Sequence, residues 1–267
     1  MRPRLRLAAL AIAAGTIAGC QGGPSSSSPA GAELTVFAAA SLAGALDEVG
    51  DAYESAHPGT VLTIATDSSA ALATQITEGA PADVFLSADT TNPQRLVDAG
   101  LADGDGIPFA RNVLTVITPA DNPGGLATPF DLATAGIRVI AAGDEVPITR
   151  YAARLVENLA RSADAPPHFA AAYAANVASK EDNVAAVRSK IELGEGDGAI
   201  VYLTDAAASD KVATIDVPDV VNVPATYAGV VVKSSPNPVA AHAFLDWLAG
   251  PDGQAVLGEF GFLPPSP

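Results

Sequence analysis

Chemistry has few places to sit in this chain. Two short loops end in serine just before a helix-like pattern: Ala39-Ala40-Ser41 after the apolar run Leu34–Ala38, and Thr66-Asp67-Ser68-Ser69 after Val61–Ala65. A serine there can cap its helix by accepting a bond from a free backbone N–H. It can also turn its hydroxyl, together with the free N–H groups of the helix start, into a cleft. A helix N-terminus carries roughly half a positive charge and several unpaired donors, so it holds an oxyanion without a basic side chain. Two such starts in one lobe make an anion site, and the residues alone leave both readings open.

Other chemistries find less support. Asp144-Glu145 and Glu181-Asp182 are neighbours in sequence, whereas acid–base work needs two carboxylates facing one substrate. Both pairs read as solvated, and the second also favours the start of its own helix. His57, His168 and His242 show no metal-ligand spacing. There is no Gly-x-Ser-x-Gly elbow, no phosphate-loop lysine and no His-Glu-x-x-His, so neither an enzyme nor a cofactor is expected. A hydrolase built on Ser41 or Ser69 would need a histidine base, and His57 is the nearest in sequence. Cys20 is the single cysteine, which excludes an internal disulfide.

The elements that must position these residues alternate between strand and helix, the pattern of α/β lobes with largely parallel sheets. Leu42, Ala45, Leu46, Val49, Ala52 and Tyr53 form an apolar stripe at helical spacing. A helix through Leu72, Ala73 and Ile76 closes near Gly79. Asn92-Pro93 starts another, which ends at Gly100. Asp83–Leu86, Arg138–Ala142 and Ala199–Leu203 read as buried strands. Helices are expected from about Thr149 to Arg161 and after Asp182, with Thr204 or Asp205 capping the segment after Leu203. Two β-rich runs, near residues 110–118 and 224–233, are candidate crossings between two lobes. Ligands in open α/β sheets bind beyond the carboxyl ends of the strands.

The chain has 267 residues, 49% of them hydrophobic, with a formal net charge of −16. That is enough apolar material for one large or two ordinary cores. The acidic surface repels nucleic acid, and any anionic ligand must be held by local dipoles against the overall field. Arg2, Arg4 and Arg6 precede an apolar run from Leu7 to Ile17 and the small residues Ala18-Gly19, the parts of a secretory signal. The run is too short to span a bilayer, which takes ~20 apolar residues. Ile17-Ala18-Gly19-Cys20 resembles the bacterial lipobox, in which the cut falls before the cysteine and its sulfur receives a diacylglycerol. The Gly-, Ser- and Pro-rich stretch after Cys20 reads as a flexible tether.

Val36-Phe37-Ala38-Ala39-Ala40-Ser41-Leu42 resembles the opening strand and turn of the molybdate-binding proteins of ABC transporters. The likeness continues through Leu72-Ala73-Thr74-Gln75-Ile76, Gly79-Ala80-Pro81-Ala82-Asp83-Val84-Phe85 and Ser87-Ala88-Asp89. It goes on to Val146-Pro147, Tyr151-Ala152, Glu181-Asp182, Ala199-Ile200-Val201-Tyr202 with Asp205-Ala206, and Gly261-Phe262, covering about residues 33 to 263.

This resemblance implies a two-lobed type II solute-binding fold of mixed, mainly parallel sheets, with two crossover strands as hinge. The implied organisation is a signal peptide over 1–19, a tether over 20–32, lobe I over 33–112 plus 227–267, and lobe II over 113–226. It further implies a molybdate site made of Ser41 and Ser69, through side chain and backbone, the N–H groups of Ile148 and Asn183, and the hydroxyl of Tyr202. The chain would then be a monomeric receptor anchored through Cys20 at the extracytoplasmic face of the cell membrane, delivering molybdate, and tungstate of nearly the same size, to an ABC permease. Another oxyanion such as sulfate is the alternative ligand. One segment departs from the family pattern Val-Pro-x-Gly-x-Tyr: here Thr149 replaces the glycine, and Arg150 brings a cation that a neutral pocket does not use. Thr149 could cap its helix or touch the ligand; a surface ion pair with an Asp or Glu is the simplest role for Arg150.

Overall fold

The computed structural model describes residues 31–265. The signal-like segment, Cys20 and the tether as far as Ala30 lie outside them. The chain opens with β1 (Glu33–Ala39), a 3-10 turn (Ala40–Leu42), α1 (Ala43–Ala56), β2 (Val61–Asp67), α2 (Ser69–Thr77), β3 (Val84–Ser87), α3 (Thr91–Asp98) and β4 (Ile107–Asn112). A second run comes next: β5 (Leu114–Pro119), a 3-10 turn (Pro129–Ala133), β6 (Val139–Ala142), α4 (Pro147–Ala160), α5 (Phe169–Asn176), β7 (Val177–Glu181), α6 (Val184–Glu192), β8 (Gly198–Tyr202), α7 (Leu203–Ala207) and β9 (Val212–Ile215). The chain then returns through β10 (Ala225–Val231) and ends in α8 (Pro238–Ala249) and α9 (Pro251–Glu259).

These strands make two five-stranded sheets, ordered β2-β1-β3-β10-β4 and β7-β6-β8-β5-β9. In the first, β1 runs parallel to β2 and β3, and β10 runs antiparallel to both its neighbours. In the second, β6 runs parallel to β7 and β8, and β5 runs antiparallel to both of its neighbours. One strand in each sheet is therefore reversed against the other four, and it is the strand that arrives from the other sheet. The first passage is a single residue, Val113, between β4 and β5; the second lies between Ile215 and Ala225. The β-rich run near residues 110–118 contains the first passage, and the run near 224–233 is β10, the strand that the second passage leads into. The architecture is the type II periplasmic-binding fold.

The local signals explain most of the elements. The stripe on α1 buries Ala45, Leu46, Val49 and Tyr53. Gly79 and Gly100, at φ +93° and +69°, end α2 and α3 in a conformation that side chains with a Cβ disfavour. Two elements carry no such signal. Helix α5 reads FAAAYAAN, almost without polar positions, and buries only Phe169. Strand β7 is an edge strand with no buried residue. Neither shows a clean period of 3.6 or 2, which is why pattern reading passes over both. The cap expected at Thr204 or Asp205 is not formed. Tyr202 holds that position, while Thr204 Oγ1 accepts a bond from Asn112 Nδ2 at 2.8 Å.

Candidate functional site

The carboxyl ends of β1, β2, β3, β6 and β8, with the loop after β7, converge on one small, tight cavity between the two sheets. Ser41, Ser69, Ile148, Asn183 and Tyr202, drawn from five separate segments, all line it, beside Ser68, Ala88 and Val184. No charged side chain is among its lining residues. Helices α2, α4 and α6 begin at this cavity, at Ser69, Pro147 and Val184. Three positive helix ends thus face one point. The backbone N–H groups of Ser69, Ile148 and Asn183 find no acceptor among the described residues. Pro147, which has no N–H, makes Ile148 the first donor of its helix.

The two serine loops behave differently from simple caps. Ser68 is the N-cap of α2, with Oγ accepting from Ala71 N–H at 3.2 Å. Ser69 instead accepts from Ala88 N–H at 3.0 Å. Ser41 caps nothing and accepts from the Tyr227 hydroxyl at 2.9 Å. An amide N–H only donates, so the hydroxyl hydrogen of Ser69 must point elsewhere. Ser41 is arranged similarly: Asn112 Nδ2 donates toward Tyr227 Oη at 3.4 Å and so favours that hydroxyl giving its own hydrogen to Ser41. The protein occupies the acceptor side of each serine and leaves its donor side to the cavity.

Tyr202 completes the set. It is 1% exposed, and its hydroxyl has no partner among the described residues. Buried polar groups are almost always bonded, so an orphan lining a cavity marks a missing acceptor. Burial pushes the pKa of Tyr202 and of Tyr227 well above the usual tyrosine value, so both keep their protons. The rings of Tyr202 and Tyr227 meet edge to face with centroids 5.6 Å apart, one from each sheet.

Thr149 neither caps α4 nor lines the cavity. Its hydroxyl donates to the carbonyls of Gly143 at 2.7 Å and Ala142 at 3.2 Å, locking the turn between β6 and α4. Arg150 is half-exposed and pairs with an Asp, as expected, but its partner is the buried Asp89, which belongs to the other sheet's side of the cleft. Glu181 is not freely solvated but pairs with Lys190 at 2.9 Å, whereas Asp144 is exposed and pairs with Lys180. Tyr227, Asn112, Ala88 and Asp205 support the site without having been singled out as parts of it. Asp205 lies behind Tyr202, fully buried, and that burial pushes its carboxyl up to about 7 despite the nearby Arg188 cation and the Tyr202 N–H. No histidine lines the cavity.

The arrangement presents hydroxyl and amide donors with no free carboxylate, between two lobes, and so defines a binding protein for a small oxyanion. Residues 34–263 match the family of bacterial extracellular solute-binding proteins, and the chain belongs to that family. It is similar to the molybdate-binding protein ModA of Mycobacterium tuberculosis, 33% identical over 95% of both chains. It is also similar to YvgL of Bacillus subtilis, named as a candidate ABC transporter substrate-binding lipoprotein, 29% identical over 92% of both. Among solved structures it resembles the periplasmic molybdate-binding protein of Azotobacter vinelandii, with a TM-score of 0.74 and 25% identity over 87% of this chain and all of that one.

Proposed function

We propose that this chain captures molybdate between its lobes and delivers it to an ABC permease. The observation that carries the reading is the donor set: Ser41, Ser69 and Tyr202 each offer a hydroxyl hydrogen into one uncharged cavity, beside the N–H groups of Ser69, Ile148 and Asn183. Molybdate is a tetrahedral dianion at neutral pH and only accepts hydrogen bonds. Protonated phosphate carries an O–H that would go unpaired in such a site, so the pocket rejects it. Sulfate shares the charge and shape but is smaller, and donors set for the larger ion stand too far from its oxygens. Tungstate matches molybdate in size and binds too. The role is binding and not catalysis: the acceptor side of each serine is filled by a donor, and among the described residues no histidine or carboxylate bonds to either hydroxyl.

Lobe I is taken as residues 33–112 with 227–267, and lobe II as 113–226. The assignment is supported by the passage at Val113 and by the return into β10, which begins two residues earlier, at Ala225. Cys20 carries the lipid, which holds a monomeric receptor at the extracytoplasmic face beside its permease. The lipobox-like Ile17-Ala18-Gly19-Cys20 and the name of the B. subtilis relative support this anchor.

Thermal unfolding tests the ligand. Molybdate at about 100 times its dissociation constant stabilises the fold by ~2.7 kcal/mol. For a chain of this size that is a rise in Tm of roughly 5–11 °C. Millimolar molybdate and tungstate that leave Tm unmoved would dispose of the proposal. Sulfate displacing molybdate at equal concentration would reassign the site to the smaller ion.

A further inference from the structure

We infer that Arg150 is a closure residue: its ion pair with Asp89 latches lobe II onto lobe I over the bound anion and slows release. The inference rests on the oxyanion reading of the cleft and goes beyond it, because neither side chain lines the cavity.

Four observations carry it. The pair crosses the cleft, from the first turn of α4 on the second sheet to the segment just after β3 on the first. Arg150 is also out of place for its own helix, since a cation in the first turn opposes the positive end of the helix dipole. Something outside the helix must account for it, and Asp89 is the carboxylate it meets. Asp89 is 2% exposed, and its other donors are all neutral: the Ser87 hydroxyl at 2.9 Å, the Asn92 N–H at 2.9 Å and the Asn92 amide at 3.1 Å. These hold the carboxylate rigidly in lobe I and leave its charge to be balanced from across the cleft. A buried carboxylate that loses its cation is strongly penalised, so separating the lobes carries that penalty until water reaches Asp89. Finally, the contact has a counterpart. Asn183 Nδ2 at the start of α6 donates to Asp67 Oδ1, at the end of β2, at 3.3 Å. Two carboxylates of lobe I, one on each side of the Ser69 segment, thus receive donors from two helix starts of lobe II.

A direct role for Arg150 on the anion is the rival, and the two roles predict opposite effects of one substitution. Asp89→Asn keeps the shape and, with its carbonyl at the Oδ1 position, the bonds from the Ser87 hydroxyl and the Asn92 N–H, but removes the charge and puts an amide donor where Oδ2 accepted. If Arg150 acts through Asp89, this variant releases ligand faster. If Arg150 attracts the anion itself, removing a nearby negative charge holds the ligand longer. The experiment loads the purified chain with radiolabelled molybdate and follows its release into an unlabelled excess. Arg150→Gln and Asp89→Asn should each speed release on the order of tenfold, a common size for coupling between sites, with association near the wild-type rate. Arg150→Lys should restore part of the retention. The double variant should be no faster than the faster single one, because both remove the same contact. Release from Asp89→Asn that is unchanged or slower overturns the latch while leaving the ligand assignment intact. A wild-type chain that retains no label sinks the ligand assignment, and the latch with it.

Discussion

The hydroxyl of Tyr227 donates to Ser41 Oγ at 2.9 Å, across 186 positions of sequence. The bond sets which way the serine points, since a hydroxyl that already accepts has its hydrogen to give. Asn112 stands behind Tyr227 and sets its direction in turn. Tyr227→Phe therefore frees Ser41 to rotate without touching the cavity itself. Calorimetric titration should show molybdate affinity down by about tenfold, with a stability cost of about 1 kcal/mol for the lost bonds. Wild-type affinity in this variant would show that Ser41 is oriented by something else.

Tyr202 should respond in the opposite sense for stability. Its orphan hydroxyl is a cost in the empty protein and a gain in the loaded one. Hydrogen bonds to charged groups are worth roughly 1.5–3 kcal/mol. Tyr202→Phe should thus lose at least an order of magnitude in molybdate affinity while unfolding no earlier than the wild type without ligand. A variant that both binds normally and melts early would mean that the hydroxyl serves the fold and not the anion.

Ser68 and Ser69 are adjacent, yet their substitution should separate folding from binding. Ser68→Ala removes the cap on Ala71 N–H, at a cost of ~1 kcal/mol in thermal or denaturant unfolding, and leaves affinity within a few-fold. Ser69→Ala removes a donor at the cavity and strands Ala88 N–H, so it should abolish most of the binding. The reverse result, with Ser68→Ala the damaging change, would exchange the two roles.

The features legible in sequence were local ones. Strand–loop–helix junctions placed Ser41 and Ser69 because a period change and a turn residue are visible within ten positions. Gly79 and Gly100 marked helix ends for the same reason. The loop after β2 was ambiguous between its two serines, because either can cap a helix; only the approach of Ala88 N–H to Ser69 separates them. Tyr227 and Asn112 were out of reach, since nothing near Tyr227 in sequence points to a serine 186 positions away, nor anything near Asn112 to a tyrosine 115 positions away. Arg150 illustrates the same limit from another side. Its type was conspicuous in the first turn of a helix, but its partner Asp89 comes from the other lobe. The edge strand β7 and the alanine-rich α5 were illegible because they contribute so little to the core.

Asp205 gives the chain a pH signature. Its carboxyl, at an ordinary value of 3.8 when unfolded, is pushed to about 7 by burial in the fold. Between those values the folded chain holds a proton that the unfolded chain has lost. Stability is therefore full below the lower value, falls as pH rises, and has lost the whole contribution once pH passes about 7. The slope is at most ~1.4 kcal/mol per pH unit from this group. Asp205→Asn keeps a neutral acceptor for the Tyr202 N–H but cannot ionise. Its melting temperature relative to the wild type should climb from about pH 4 to pH 7 and then stay level, reaching several degrees at pH 8 on the usual conversion of roughly 2–4 °C per kcal/mol. The comparison needs ligand-free protein, because bound anion adds its own linkage. Melting curves of the two chains that run parallel from pH 4 to 8 would mean that water or Arg188 already stabilises the ionised carboxylate, and that Asp205 costs the fold nothing as pH rises.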